Sequence, residues 1–336
     1  MGRRLTSATI AVVLGLAVTT GAALSQGVHG KVAMLLPGSI NDQSWNAAGY
    51  AGLVKLKERG AEIAYSENVQ AADHVEAMKD YARRGFSPII GHSGRFLSAA
   101  QRVGPDFDKT VFLVGSGSGG QSNVISLDVA NDQYAYVVGV LAGRMTKTGK
   151  VGAVAGLEGL PNMIASLGGF RLGVKSVRPD AEVKIVYLQS MEDPAAAKEA
   201  ALSLIAGGAD VIGGKLNAGH AGIVQAAKEK NVFTTGRSVG HTAIAPERVL
   251  TNIDEKWSDI YAAAVAELHA GKLKGHYVAY GYNTATQGAE LRYSADRSLN
   301  PVVPAAVAAE LETVKKKLAS GELKLKPTKE DARGGA

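Results

Sequence analysis

Apolar residues fall along this chain in two alternating patterns. Short continuous runs such as Val32-Ala-Met-Leu-Leu36, bounded by turn residues, predict strands covered on both faces. Runs of this kind predict strands at 31–36, 61–66, 87–91, 110–115, 123–128, 150–155, 182–188, 210–213, 232–235, 248–253, 276–281 and 289–294. Amphipathic segments lie between them. Met163, Leu167, Phe170 and Val174 share one face of 163–175, and Val307, Leu311, Val314 and Leu318 share one face of 303–320. Asp193-Pro194 marks a helix start, with Asp as cap and Pro in the first turn, and Gly207-Gly208 marks the end of that helix. Alternation of this kind predicts a doubly wound α/β architecture.

The alternation runs twice, once from Lys31 and again from Lys150. In each half a strand leads to a glycine-containing loop and then to a helix. Two such halves predict two Rossmann-like lobes with a ligand cleft at the carboxyl ends of their strands. Helices at 133–146 and 255–271 and the strands at 276–294 are read as returning segments that complete both lobes and form a hinge. The N-terminal lobe is expected to comprise 26–127 with about 254–285, and the C-terminal lobe 128–253 with about 286–323. The polar tail 324–336 is expected to fray.

Residues 1–25 read as a cleaved secretory signal. Arg3-Arg4 is followed by a short apolar run, and Ala23-Leu24-Ser25 suits cleavage near Ser25. The run is too short and too rich in small residues for a membrane anchor. The 336 residues include no cysteine, which excludes disulfides and a lipid-modified cysteine and leaves a free periplasmic chain as the expectation. The net charge of +6 is spread without a basic block, so no nucleic-acid polymer is expected as a partner. The seven histidines are scattered, and no H-E-x-x-H, Walker A or G-x-S-x-G pattern occurs. Neither a metal, a cofactor nor enzymatic activity is therefore expected. Gly115 to Gly120 lacks the G-x-G-x-x-G spacing and precedes a strand, so it reads as a loop.

The candidate chemistry lies in loops that follow strands. The loop 37–46 brings Asp42, Ser44, Trp45 and Asn46 to a helix mouth. An aromatic among hydrogen-bonding residues suits a flat polar small molecule; core-edge packing for Trp45 and helix capping for Asp42 or Asn46 are the alternatives. His92 and Ser93 follow the third strand, and Asn217 occupies the matching turn of the second half.

Several separated blocks resemble one known family. Asn41-Asp-Gln-Ser-Trp-Asn46, with Gly49 and Gly52, resembles the Asp-Lys-Ser-Phe-Asn signature of the basic membrane protein family. Tyr134 to Gly143 with Lys150-Val-Gly152, Gly168-Gly-Phe-Arg-Leu-Gly173, Asp193-Pro194, Gly208-Ala-Asp-Val211 and Val249-Leu-Thr251 follow in the family's order. That resemblance implies a type I periplasmic-binding-protein fold. It implies a substrate-binding protein of an ABC importer, best known in purine-nucleoside receptors, that closes on a ligand and delivers it to an inner-membrane permease. A monomer is expected. By the same resemblance Trp45 stacks on the ligand, Asn46 hydrogen-bonds it, and Gly236 lines the second lobe's side.

The chain also departs from the family pattern. Leu36 stands where an Asp contacts the base, and Ser238, after Arg237, stands where an Asp grips the ribose. A second stacking aromatic is missing near Gly213 to Lys215. The expected ligand is a small flat heterocycle, a purine base, nucleoside or related compound; the departures weigh against the nucleoside and toward a free purine base or another N-heterocycle, while Arg237 and Lys215 equally favour a ligand with negative charge. A periplasmic sensory receptor of the same fold, coupled to a kinase or chemoreceptor, is the alternative function.

Overall fold

The computed structural model describes residues 30–41 and 45–335. The signal segment, Asp42 and Ser44 lie outside the described residues. The first half of the chain lays down β1 (Lys31–Leu35), α1 (Trp45–Glu58), β2 (Glu62–Ser66), α2 (His74–Arg83), β3 (Ile89–Gly91), α3 (Leu97–Val103), β4 (Phe112–Gly115) and β5 (Val124–Val129). After α4 (Asn131–Met145) come β6 (Lys150–Gly156), α5 (Pro161–Val177), β7 (Glu182–Leu188), α6 (Pro194–Ala206), β8 (Val211–Lys215), α7 (His220–Lys230), β9 (Phe233–Gly236), α8 (Val239–Ile244) and β10 (Val249–Glu255). The chain then passes through α9 (Trp257–His269), β11 (Tyr277–Tyr280), β12 (Ala289–Leu291) and α10 (Ala305–Ser320).

Two six-stranded sheets result, in the orders β11-β5-β4-β3-β1-β2 and β12-β10-β9-β8-β6-β7. Every pairing is parallel except β10 with β12, which is antiparallel. All twelve strands fall within a few residues of the positions read from the sequence. The apolar runs have a direct cause. In β1 and its extension, Val32, Met34 and Leu36 enter the core under α1 and α9, while Ala33 and Leu35 enter the core under α2 and α3. A strand buried on both faces needs apolar residues at every position.

The path between the sheets defines the cleft. The chain leaves the first sheet after Val129, and α4 packs in the core of the second. It returns after Glu255, and Trp257, Ile260 and Tyr261 of α9 are buried in the first core. Strand β11 then adds to the first sheet, β12 adds to the second, and α10 packs on the second core through Leu311 and Leu318.

Helices α4 and α5 approach so closely that glycine is required at the crossing. A Cβ on Gly139 would lie 2.1 Å from the Phe170 carbonyl oxygen, and one on Gly173 would lie 2.1 Å from that of Tyr136. This accounts for the glycines in two of the blocks that carry the family resemblance. The Asp193 carboxylate caps α6 as expected, accepting from the Ala195 and Ala196 N–H groups at 3.0 Å each.

The expectation of a frayed tail is corrected. Ala332 is buried in the second core, and Leu325 packs against it. The Arg171 guanidinium donates to the carbonyls of Glu330, Asp331 and Arg333 at 2.8–3.1 Å. A polar segment is held here through its backbone, which hydropathy does not register.

Candidate functional site

The carboxyl ends of β1, β3, β4 and β5 face those of β6, β8, β9 and β10 across a cavity of about 1070 Å³. That volume lies at the upper end of small-molecule sites.

Trp45 forms part of the first lobe's wall. Its ring stacks on His92 with centroids 4.2 Å apart and meets Trp257 edge-on at 5.1 Å. Its indole N–H donates to the His92 carbonyl at 2.9 Å. The residue is half-buried, so packing and cavity lining coexist. His92 itself is fully buried, with ring nitrogens against the Tyr261 hydroxyl at 2.5 Å and the Trp45 carbonyl at 2.8 Å. The expectation that His92 meets a ligand is therefore corrected: it lies beneath Trp45 and fixes that ring. Asn46 lines the cavity inside α1, and its Oδ1 accepts from the Gly38 N–H at 3.1 Å, closing the loop after β1. Ser93 also lines the cavity. Leu36, by contrast, is sealed in the first core.

The floor is a buried charged network. Glu255, at the end of β10, accepts from Arg237 at 2.6 Å, from Lys215 at 3.3 Å and from the Trp257 indole at 2.9 Å. Lys215, at the end of β8, also donates to the Asn131 side-chain oxygen. Burial works to raise the Glu255 pKa, but the Arg237 and Lys215 charges overcome it and hold the group well below the usual carboxylate range. Burial lowers the Lys215 pKa, with Glu255 opposing. Asp128, at the end of β5, accepts from the Val129 N–H at 2.9 Å, from Ser116 at 3.3 Å and from Asn131 at 3.4 Å. Burial pushes its carboxyl up to about 7; Lys215 pulls it down and Glu255 pushes it up. Asp128 and Glu255, which the sequence reading did not single out, both line the cleft.

The second lobe supplies an apolar wall of Leu157, Leu160, Pro161, Met163 and Met191. The Met191 sulfur covers Gly156 at the end of β6, where a Cβ would lie 2.3 Å from it. Asn217 lines the cavity beside this wall, with its amide bonded to the Glu192 carboxylate at 2.5 Å. In the loop after β9 Arg237 borders the cavity, but Gly236 and Ser238 do not. Gly236 packs against Asn252, and Ser238 turns toward His241, with its Oγ 3.5 Å from Nδ1. Both are corrections to the sequence reading: backbone alternation points them behind Arg237. Among the described residues, no helix is long and apolar enough to cross a membrane, and no cluster of three or more metal-ligating side chains occurs.

Behind Arg237 lies a buried histidine pair. His220 Nε2–H donates to the Thr235 carbonyl at 2.8 Å, and His241 Nδ1 accepts from the Arg237 N–H at 3.1 Å. Burial lowers both pKa values, that of His241 from 6.5 to about 4, with Arg237 adding to the effect. Unfolded histidines take up protons as pH falls through 6.5, whereas these do not, so their stabilising contribution is present above that pH and lost below it. Asp128 acts in the opposite sense, because its raised pKa lets the folded state hold a proton that the unfolded chain releases above about 4. These three groups by themselves contribute a net loss approaching about 1.4 kcal/mol per pH unit between pH 6.5 and 5. Asp128→Asn removes the opposing term and is expected to steepen the slope toward about 2.7 kcal/mol per unit. Urea unfolding at several pH values checks both slopes.

Two facing Rossmann-like lobes with a cavity at their strand ends define a type I periplasmic-binding-protein architecture. The model of the PnrA-like ABC transporter substrate-binding proteins matches residues 29–327, and the chain belongs to that family. It is 27% identical over 258 residues to the transcriptional activator protein med of Bacillus subtilis, covering 76% of this chain and 80% of that one. It is 26% identical over 230 residues to a purine-binding protein of Brucella abortus, covering 68% of this chain but just under two thirds, 65%, of the relative. A solute-binding protein of an ABC transporter system from Conexibacter woesei superposes with a TM-score of 0.69 at 26% identity, covering 88% of this chain and 98% of that one. The family is one of solute-binding proteins that bind small molecules outside the cytoplasm and work with membrane permeases.

Proposed function

We propose that this protein captures a flat, uncharged nitrogen heterocycle of purine-base size in the interlobe cleft and delivers it to an inner-membrane permease. The observation that carries this reading is the pairing of the Trp45 wall with an apolar wall over a charge-balanced floor. Arg237 and Lys215 both bond Glu255, and Lys215 also interacts with the Asp128 carboxyl, so little positive charge is left over for an anionic ligand. Asp128 and Asn131 offer neighbouring acceptor and donor positions, which suits the ring edge of a base. The purine-binding relative from Brucella abortus supports the same ligand class. Nothing in the floor singles out ribose, and a nucleoside remains the larger member of the tested series.

A thermal-shift screen of nucleobases, nucleosides, sugars and small organic acids tests the reading. A ligand at about 100 times its Kd stabilises by about 2.7 kcal/mol, which raises Tm by several degrees. A shift with a sugar or an acid, and none with any heterocycle, overturns it. Incubation with adenosine or inosine should leave both intact, since both Glu255 oxygens are already bonded, one to Lys215 and Arg237 and the other to the Trp257 indole. A periplasmic sensory role is the second reading; the Bacillus subtilis relative is named as a transcriptional activator, a regulatory rather than a transport role. Capture of a permease on liganded protein supports transport; capture of a sensor kinase instead supports sensing.

A further inference from the structure

The segment 327–335 runs across the second lobe and ends beside the cleft. We propose that this segment is a strap that positions the apolar wall of the cleft by holding the loop 157–160. The proposal rests on the reading of that wall as part of the ligand site.

The anchors are several and independent. Arg171, in the middle of α5, donates to three strap carbonyls and also to the Val183 carbonyl of β7 at 3.1 Å. The Tyr187 hydroxyl donates to the Ala332 carbonyl at 2.6 Å. Gly335 and Ile185 exchange backbone hydrogen bonds at 2.8 and 3.3 Å, so the strap pairs with β7, the outermost strand of its sheet. Pro327 and Asp331 lie so close to α5 that a Cβ on Gly168 would meet Pro327 at 2.7 Å. The Thr328 N–H and hydroxyl both bond the Asp331 carboxylate, at 2.8 and 2.7 Å, which fixes the strap's own turn.

Two links lead from the strap to the cleft. The Gly334 N–H donates to the Glu158 carboxylate at 3.1 Å. Leu188, one residue beyond the Tyr187 anchor, accepts from the Leu157 N–H at 3.1 Å. Leu157 needs such restraint. It lines the cavity with φ at +54°, a left-handed conformation that a branched side chain adopts only when its surroundings enforce it. Leu160, three residues on, stands 42% exposed on the cavity rim. Glu158 and Gly334 are thus positioning residues, acting on the wall without touching a ligand.

Hydrogen–deuterium exchange of the unliganded protein tests this without reference to any ligand. A chain ending at residue 326 is compared with the full chain. Amides of 157–164 should exchange about tenfold faster, while those of β8 stay protected. Glu158→Ala, which leaves the buried anchors in place, should give a smaller acceleration at the same amides with Tm unchanged. Unchanged exchange at 157–164 in both variants overturns the proposal. Equal loosening of β8 in the shortened chain, with no effect of Glu158→Ala, also overturns it, because the segment would then support the lobe as a whole. If adenine binds the full chain, its Kd should rise about tenfold in the shortened one. If adenine binds neither, the ligand reading fails while the exchange result still decides the strap.

Discussion

Glu255→Ala is expected to destabilise the protein by about 3–5 kcal/mol, because removing one member of a buried ionic network leaves its partners uncompensated. Lys215 and Arg237 would face each other across the cleft floor with only the Asp128 carboxyl, itself pushed up to about 7, as a counter-charge, and the Trp257 N–H would lose its acceptor. Glu255 also sits where the chain leaves β10 for α9, so the network joins second-lobe cations to an indole in the first core. Urea unfolding monitored by circular dichroism measures the loss. The mechanism has its own signature. Lys215→Met alone removes one buried charge, and the double variant Lys215→Met with Glu255→Ala should recover part of the deficit, with a coupling of about 1–3 kcal/mol. A single-variant loss below about 1 kcal/mol would mean that water reaches the network and the charges are solvated. Glu255→Gln should fall between, since it keeps an acceptor for Trp257 but not the charge.

The same network shows where sequence reading succeeds and fails. The apolar runs marked the inner strands because burial on both faces leaves few polar positions to interrupt them, as in Val32 to Leu36, whereas edge strands such as Glu62–Ser66 and Glu182–Leu188 are partly exposed. The loop after β1 was legible because Trp45 and Asn46 stand at a strand-to-helix junction. Asp128, Asn131 and Glu255 were missed for a topological reason. They lie at the ends of β5 and β10, where the chain crosses between lobes, and these crossings read as hinge rather than as site. Their signal was present: Asp128 closes a predicted strand, and Asn131 and Glu255 follow one by three and two residues. Met191 was missed because a thioether in a polar loop resembles no binding motif, although it lines the cleft beside Gly156. His92 misled in the other direction, since a histidine after a strand looks available until the α9 residues Trp257 and Tyr261 are seen to enclose it. The strap was invisible because its anchors are backbone carbonyls, whose partners no side-chain pattern encodes.

Trp45→Ala should weaken binding of whichever heterocycle the screen identifies by about 10- to 100-fold, the range that loss of one base–aromatic stack produces. One face of the indole is already occupied by His92, so the ligand meets what the cavity leaves open of the ring. The substitution also removes packing against Trp257 and is expected to lower stability by about 2–4 kcal/mol. The two effects separate through Trp45→Phe. Phenylalanine keeps an aromatic face on His92 but loses the indole N–H that donates to the His92 carbonyl. Its stability loss should be about 1–2 kcal/mol, and its affinity loss less than about tenfold. Calorimetric titration well below the Tm of each variant measures affinity free of unfolding. If Trp45→Ala retains affinity within about twofold while losing stability, Trp45 serves the core alone, and the ligand rests on the floor and the methionine wall instead.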